Sequence, residues 1–330
     1  MKLKDIYQLA IEMGISADPR GKAGVEKMLK KASKDYKELS EKKKKFFDSE
    51  NLTNPYTDTR ILYGDPEREI KRVLAGIDAD GSEVLLADRL SERASVAGSG
   101  KGIDLVISHH PTGHALASLD EVMDVQVDMY AQAGVPENVA QALFEDRKSR
   151  VKRGIGPLNH AQAVDISRLL DVPLMAIHTV WDNLGNDFMN KNIEDKKFDS
   201  VGELLDAIND IPEFTEAIRG KCPPAIVAGS PSSRTGRVVV SFTGGTNPSK
   251  ELYIELAKAG VGTVVEMHVP EDAVQALKKM HVNIIDCGHM AADSVGANLF
   301  LDELEKRGVE VIPCSGLIRV KRTKGIGNSK

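Results

Sequence analysis

The sequence predicts an α/β protein with mostly parallel sheets behind an N-terminal helical extension. Short apolar runs alternate with amphipathic stretches of helical period. The runs are continuously apolar, as in strands buried on both faces, rather than alternating apolar and polar. The alternation occurs twice, from about residue 69 and again from about residue 237, which gives two α/β series.

Residues 1–55 read as helical and separate from the rest of the chain. Ile6, Leu9 and Met13 recur at helical spacing, and Val25, Met28, Leu29, Ala32, Tyr36 and Leu39 form a second apolar face. Lys42 to Lys45 read as a solvated helix end, and Asn54-Pro55 marks a break. Residues 71–78 then read as a strand, 82–94 as a helix with Ser82 as its cap, and 103–108 as a buried strand. Residues 118–171 are mostly helical, broken at Val135-Pro136 and over 154–157, and 172–177 return as a strand. The second series runs strand 237–242, helix 249–259, strand 261–267, helix 271–280, strand 282–287, helix 291–307 and strands 309–313 and 317–320. Residues 322–330 read as a tail.

A chain of 330 residues suits about two domains. With 41% apolar and 28% charged residues it is globular rather than disordered. A net charge of −5 gives no support to nucleic-acid binding through bulk positive charge. No run approaches the length of a membrane span, and the start lacks the pattern of a signal peptide. Cys222, Cys287 and Cys314 are few and far apart, so a reducing cytoplasm is expected.

The histidines carry the chemical signal. His109 and His110 follow one predicted strand directly, and neighbours in an extended segment point to opposite sides, so two metals could take one each. A hydrogen-bonded pair at a sheet edge is the plainer alternative. His178 and Asp182 follow a second strand. His289 and Asp293, four apart at a helix start, follow a third. Each cluster alone fits a structural role. Together they place imidazoles and carboxylates, the ligand types of zinc, manganese and iron, at the carboxyl ends of parallel strands, where ligands bind. Glu266 and His268 end a fourth strand and either line the same cleft or are solvated. His114 is a possible base or a rim residue. His160 and His281 read as structural, Cys287 as a buried strand residue, and Ser230 and Ser232 as loop residues. The stretch TGGTNPSKE reads as a strand-to-helix turn, with a phosphate cradle as the lesser alternative.

DLVISHHP at 104–111, HTVWD at 178–182 and GHMAAD at 288–293 resemble, in order and strand context, the GTP cyclohydrolase 1 type 2 homologues, also called Nif-three-like. The similarity covers roughly residues 56–325. It implies two α/β halves with a metal cleft between them: a helical extension over 1–55, an N-terminal α/β domain over 56–212 with a helical insertion at about 112–171, and a C-terminal α/β domain over 213–330. It implies two divalent metal ions, with His109 and His110 on different ions, Asp182 on one, His289 on the other and Asp293 bridging. His178 would be a further ligand or would orient one. It also implies a homo-oligomer, commonly a toroidal hexamer. The chain departs from the family in carrying Asp293 where Glu is usual, in the TGHA that follows the double His, and in its insertion and extension.

Two such ions would acidify a water and stabilise an oxyanion, which is metal-assisted hydrolysis of a small-molecule substrate. A nucleotide substrate, with opening of the guanine ring, comes from the family label alone. The rival expectation is a non-catalytic metal-binding or scaffold protein.

Overall fold

The structure is a computed structural model that describes residues 1–322; the tail expected at the C terminus lies, from residue 323 on, outside the described residues. The chain opens with α1 (Leu3–Ala17), α2 (Gly21–Glu38) and the one-turn α3 (Glu41–Lys44). The region is helical as expected, but α1 is not peripheral. Its apolar face puts Leu3, Ile6 and Ala10 at zero exposure in the same cluster as the first sheet. The face expected on α2 is less used, with only Val25 buried.

The first sheet begins with β1 (Thr59–Tyr63) and β2 (Arg72–Gly76). Helix α4 (Gly81–Val96) leads to β3 (Leu105–Ser108). Asp80, not Ser82, caps α4. Its carboxylate accepts the Ser82 amide, and Glu83 accepts the Asp80 amide in return, a capping box that a lone serine cannot make. Four helices come next: α5 (Gly113–Ala117), α6 (Asp124–Gln132), α7 (Glu137–Ile155) and α8 (Gln162–Leu170). The chain then enters β4 (Leu174–Ile177), α9 (Thr179–Met189), α10 (Val201–Asn209) and α11 (Pro212–Arg219).

The second sheet is built from β5 (Ala225–Ala228), β6 (Arg237–Ser241), α12 (Lys250–Lys258), β7 (Val261–Glu266), α13 (Glu271–Lys279) and β8 (Asn283–Asp286). Helix α14 (His289–Lys306) and strand β9 (Glu310–Cys314) complete the order. Strand order is β1-β4-β3-β2-β9 in one sheet and β5-β8-β7-β6 in the other. All neighbours are parallel except β1 on β4 and β5 on β8. These two antiparallel edge strands are absent from the sequence expectation, being too short for periodicity to separate from loop. Residues 317–320 are not the expected strand. Their backbone is satisfied by α14 side chains instead: Ser294 Oγ accepts the Ile318 amide, and Asn298 holds Ile318 O and the Val320 amide.

Helices α9 and α14 cross at backbone contact. A Cβ on Gly296 would lie 1.8 Å from the Trp181 carbonyl oxygen, so only glycine fits. Helix α9 leaves the carboxyl end of β4 and α14 that of β8, so the crossing brings their N-terminal halves together from different sheets. Among the described residues no helix is long and apolar enough to cross a membrane.

Candidate metal centre

Each key side chain is placed by a strand end. His109 and His110 leave β3, His178 leaves β4, and Glu266 ends β7. After β8, Gly288 turns the chain at φ +81°, and His289 opens α14. Asp182 lies in the first turn of α9 and Asp293 one turn after His289 in α14, both buried.

Two nests share one carboxylate. In the first, His109 Nε2 lies 3.2 Å from Asp182 Oδ1 and 3.6 Å from Asp293 Oδ1. In the second, Asp293 Oδ2 lies 3.5 Å from His110 Nε2 and 3.4 Å from His289 Nε2. His178 Nε2 stands 3.9 Å from Asp182 Oδ2, on the side of the first nest.

The imidazoles are oriented from behind. His109 Nδ1 donates to Ile177 O (3.0 Å), His110 Nδ1 to Asp78 Oδ1 (2.6 Å) and His178 Nδ1 to Asp58 Oδ2 (2.8 Å). With the proton on Nδ1, Nε2 is left as a lone pair facing the centre, the arrangement typical of histidines that bind metals. Trp181 stacks on His109 at 5.4 Å and 9°.

The donor set fits a cation. Both oxygens of Asp293 are fully buried and have no hydrogen-bond partner among the described residues, which is costly for a carboxylate unless a ligand completes it. His110 Nε2 and His289 Nε2 face each other at 3.3 Å, so a proton or a cation must stand between two lone pairs. Two ligands on one tetrahedral zinc lie about 3.3 Å apart, given bonds near 2.0 Å. The nests have that spacing. Three overlapping groups, His109–His110–His178, His110–His289–Asp293 and His109–Asp182–Asp293, could each hold a metal ion.

Without an ion, protons take up the charge. Burial opposes charge on His109, but Asp293 and Asp182 hold its pKa well above the usual value. Burial would raise the pKa of Asp293, and His109 outweighs it and holds the carboxyl below the usual range. Burial lowers the pKa of His289.

A cleft of about 360 Å³ opens over the centre, lined by His110, His178, Asp182, His289 and Asp293 on one side. Glu266 and His268 line it too, outside the three groups. His268 stacks on His289 at 4.7 Å. Glu266 Oε1 accepts from Tyr253 OH (2.8 Å) and Oε2 from Asn247 Nδ2 (3.2 Å), and burial pushes its pKa up to about 8. His114 is not brought to the centre. Its Nδ1 meets Arg60 Nη1 at 2.8 Å, and Asp48 lies 3.8 Å from its Nε2. Cys287 is fully buried with a raised pKa, and Ser230 and Ser232 are exposed.

Sequence reasoning missed Asp58, Asp78, Trp181, Gln126 and Arg147. Asp78 was findable, since it follows β2 as His109 follows β3. Asp58 precedes a strand that was not expected, and Gln126 and Arg147 arrive on helices with no local sign of the cleft.

No family model and no curated protein matches the sequence. Solved structures do. The crystal structure of a NIF3 superfamily protein from Sphaerobacter thermophilus aligns with 95% of this chain and 98% of its own length, at 26% identity and a TM-score of 0.73. The chain has the fold of the NIF3 superfamily and resembles this member over almost its whole length. Reduced HcgD from Methanocaldococcus jannaschii aligns over 82% of this chain and 94% of its own, at 15% identity and a TM-score of 0.49. A protein from Thermus thermophilus aligns over 82% and 92%, at 14% identity and 0.46. The chain thus combines the NIF3 fold with a His/Asp cluster able to hold metal.

Proposed function

We propose that this protein of NIF3 fold is a dinuclear divalent-metal hydrolase acting on a small molecule. One observation supports this above the others: the two oxygens of Asp293, buried and unpartnered, each face a different nest of ligands. In this reading His109, Asp182 and His178 would hold one ion and His110 and His289 the other, with Asp293 available to both. The mixed nitrogen and oxygen set suits zinc, manganese or iron. A pair of such ions supplies Lewis-acid polarisation of the bond under attack and lowers the pKa of water.

The protein's own groups do the rest. Ile177 O, Asp78 and Asp58 fix the imidazole tautomers. The buried Glu266 carboxyl, with its pKa near 8, carries a proton at neutral pH and faces the cleft as a donor to a leaving group. A nucleotide is the candidate substrate by resemblance. The homohexamer is a further expectation of the same kind, open to sedimentation of the full chain.

The test is a screen of nucleotides and phosphoesters with protein loaded with zinc, manganese or iron, beside His109→Ala and Asp293→Asn. Turnover that falls at least about a hundredfold in both variants is expected. Metal bound at full occupancy with no turnover across the screen would favour the metal-binding or scaffold alternative.

A further inference from the structure

The cleft has a second polar end that the His/Asp centre does not use. Arg147 reaches it from α7, in the helical segment between β3 and β4. Three other basic residues of that helix have counter-ions: Lys148 with Asp124, Arg150 with Asp146 and Lys152 with Asp120; the exposed Arg153 donates to Ser149 Oγ. Arg147 makes no ion pair among the described residues. Its Nε donates to Asn247 O (2.9 Å), which leaves both Nη groups uncommitted. Burial, and then the charge of Arg150, pull its pKa below the ordinary value. A half-buried guanidinium without a counter-ion is unfavourable, and its flat fork matches the geometry of an oxyanion.

The loop that Arg147 grips adds further donors. Gly244 and Gly245 both take positive φ, +114° and +81°. Gly245 and Thr246 line the cleft, and their amides donate no hydrogen bond among the described residues. Gln126 of α6, only 2% exposed, holds the loop in place by donating to Thr246 O (2.7 Å). A Cβ on Gly244 would strike that side chain at 2.1 Å. Two helices of the insertion therefore hold this loop against the cleft.

We propose that Arg147 and the backbone of Gly245 and Thr246 form an oxyanion subsite, which binds the phosphate or carboxylate of a substrate whose other end reaches the His/Asp centre. The second half rests on the hydrolase reading; the subsite itself does not. An anion is also what a guanidinium without a counter-ion attracts into a cleft.

Titration calorimetry of the metal-free full chain with inorganic phosphate, and separately with acetate, tests the subsite without the ions. Wild type binds at least one of the two. Arg147→Gln weakens that binding about tenfold or more, as loss of a charge-assisted pair should. Arg150→Gln, the exposed neighbour, leaves it unchanged. Tighter phosphate assigns a phosphate ester, and tighter acetate a carboxylate. Binding of neither by wild type at tens of millimolar, or equal binding by Arg147→Gln, overturns the proposal. If Arg147→Gln does not fold, Arg147→Lys takes its place, since it keeps the charge and loses the fork. Weakened binding then supports the subsite, and unchanged binding overturns it. A separate metal assay on wild type bears on the hydrolase reading alone, so the two can fail independently.

Discussion

At the scale of single residues, the centre is a charge problem solved by position. Asp293 lies at zero side-chain exposure, and three imidazoles converge on it. Glu266, in the same cleft, has no such partners. Its pKa is raised to about 8 by burial, against about 4.3 in an unfolded chain. Between those values the folded protein keeps a proton that the unfolded chain has released. Stability from this group is therefore full below about pH 4.3 and is lost as pH rises through 8. The slope is at most about 1.4 kcal/mol per pH unit. Metal-free wild type should lose melting temperature relative to Glu266→Gln between pH 5 and pH 8; parallel curves for the two would contradict the assignment. His109, Asp182, His289 and Asp293 were legible as candidates because their types and their strand-end positions are both local. Asp58 was not. Its role depends on reaching His178, which is 120 positions away in the chain.

At the scale of elements, the crossing of α9 and α14 sets the distance between Asp182 and Asp293. The contact is backbone on backbone at Gly296, where a methyl group would overlap the Trp181 carbonyl oxygen. Gly296→Ala must push the helices apart, at a cost of about 3 kcal/mol. Gly185→Ala should cost less, since its Cβ would lie 3.4 Å from the Gly296 nitrogen. Urea denaturation of both variants checks the order; equal stabilities would show that the crossing is not tight. The helices themselves were partly readable from their period, as with α12 and α13. Their closeness was not, because a lone glycine inside a helix has the same local sequence signature whether it faces solvent or another backbone. The edge strands β1 and β5 escaped for a related reason: each is four or five residues long and is defined by its partner.

At the scale of the whole molecule, two mainly parallel sheets direct their carboxyl ends at one cleft, and a helical segment closes its far side. The α/β class was legible because buried parallel strands leave continuous apolar runs such as IDLVIS and VPLMAI. The place of α1 was not legible, since an amphipathic helix announces a face but not what covers it. Nor was the return of β9 to the first sheet, a pairing between residues more than 200 apart. The account's central claim is that these elements assemble a pair of metal sites sharing Asp293. Metal content per chain, by inductively coupled plasma mass spectrometry on untagged protein purified without chelator, tests it most directly, on wild type, His109→Ala and Asp293→Ala. The account predicts about two ions in wild type, fewer in His109→Ala and close to none in Asp293→Ala. No stoichiometric metal in wild type, even after anaerobic reconstitution with zinc, manganese and iron, would contradict it.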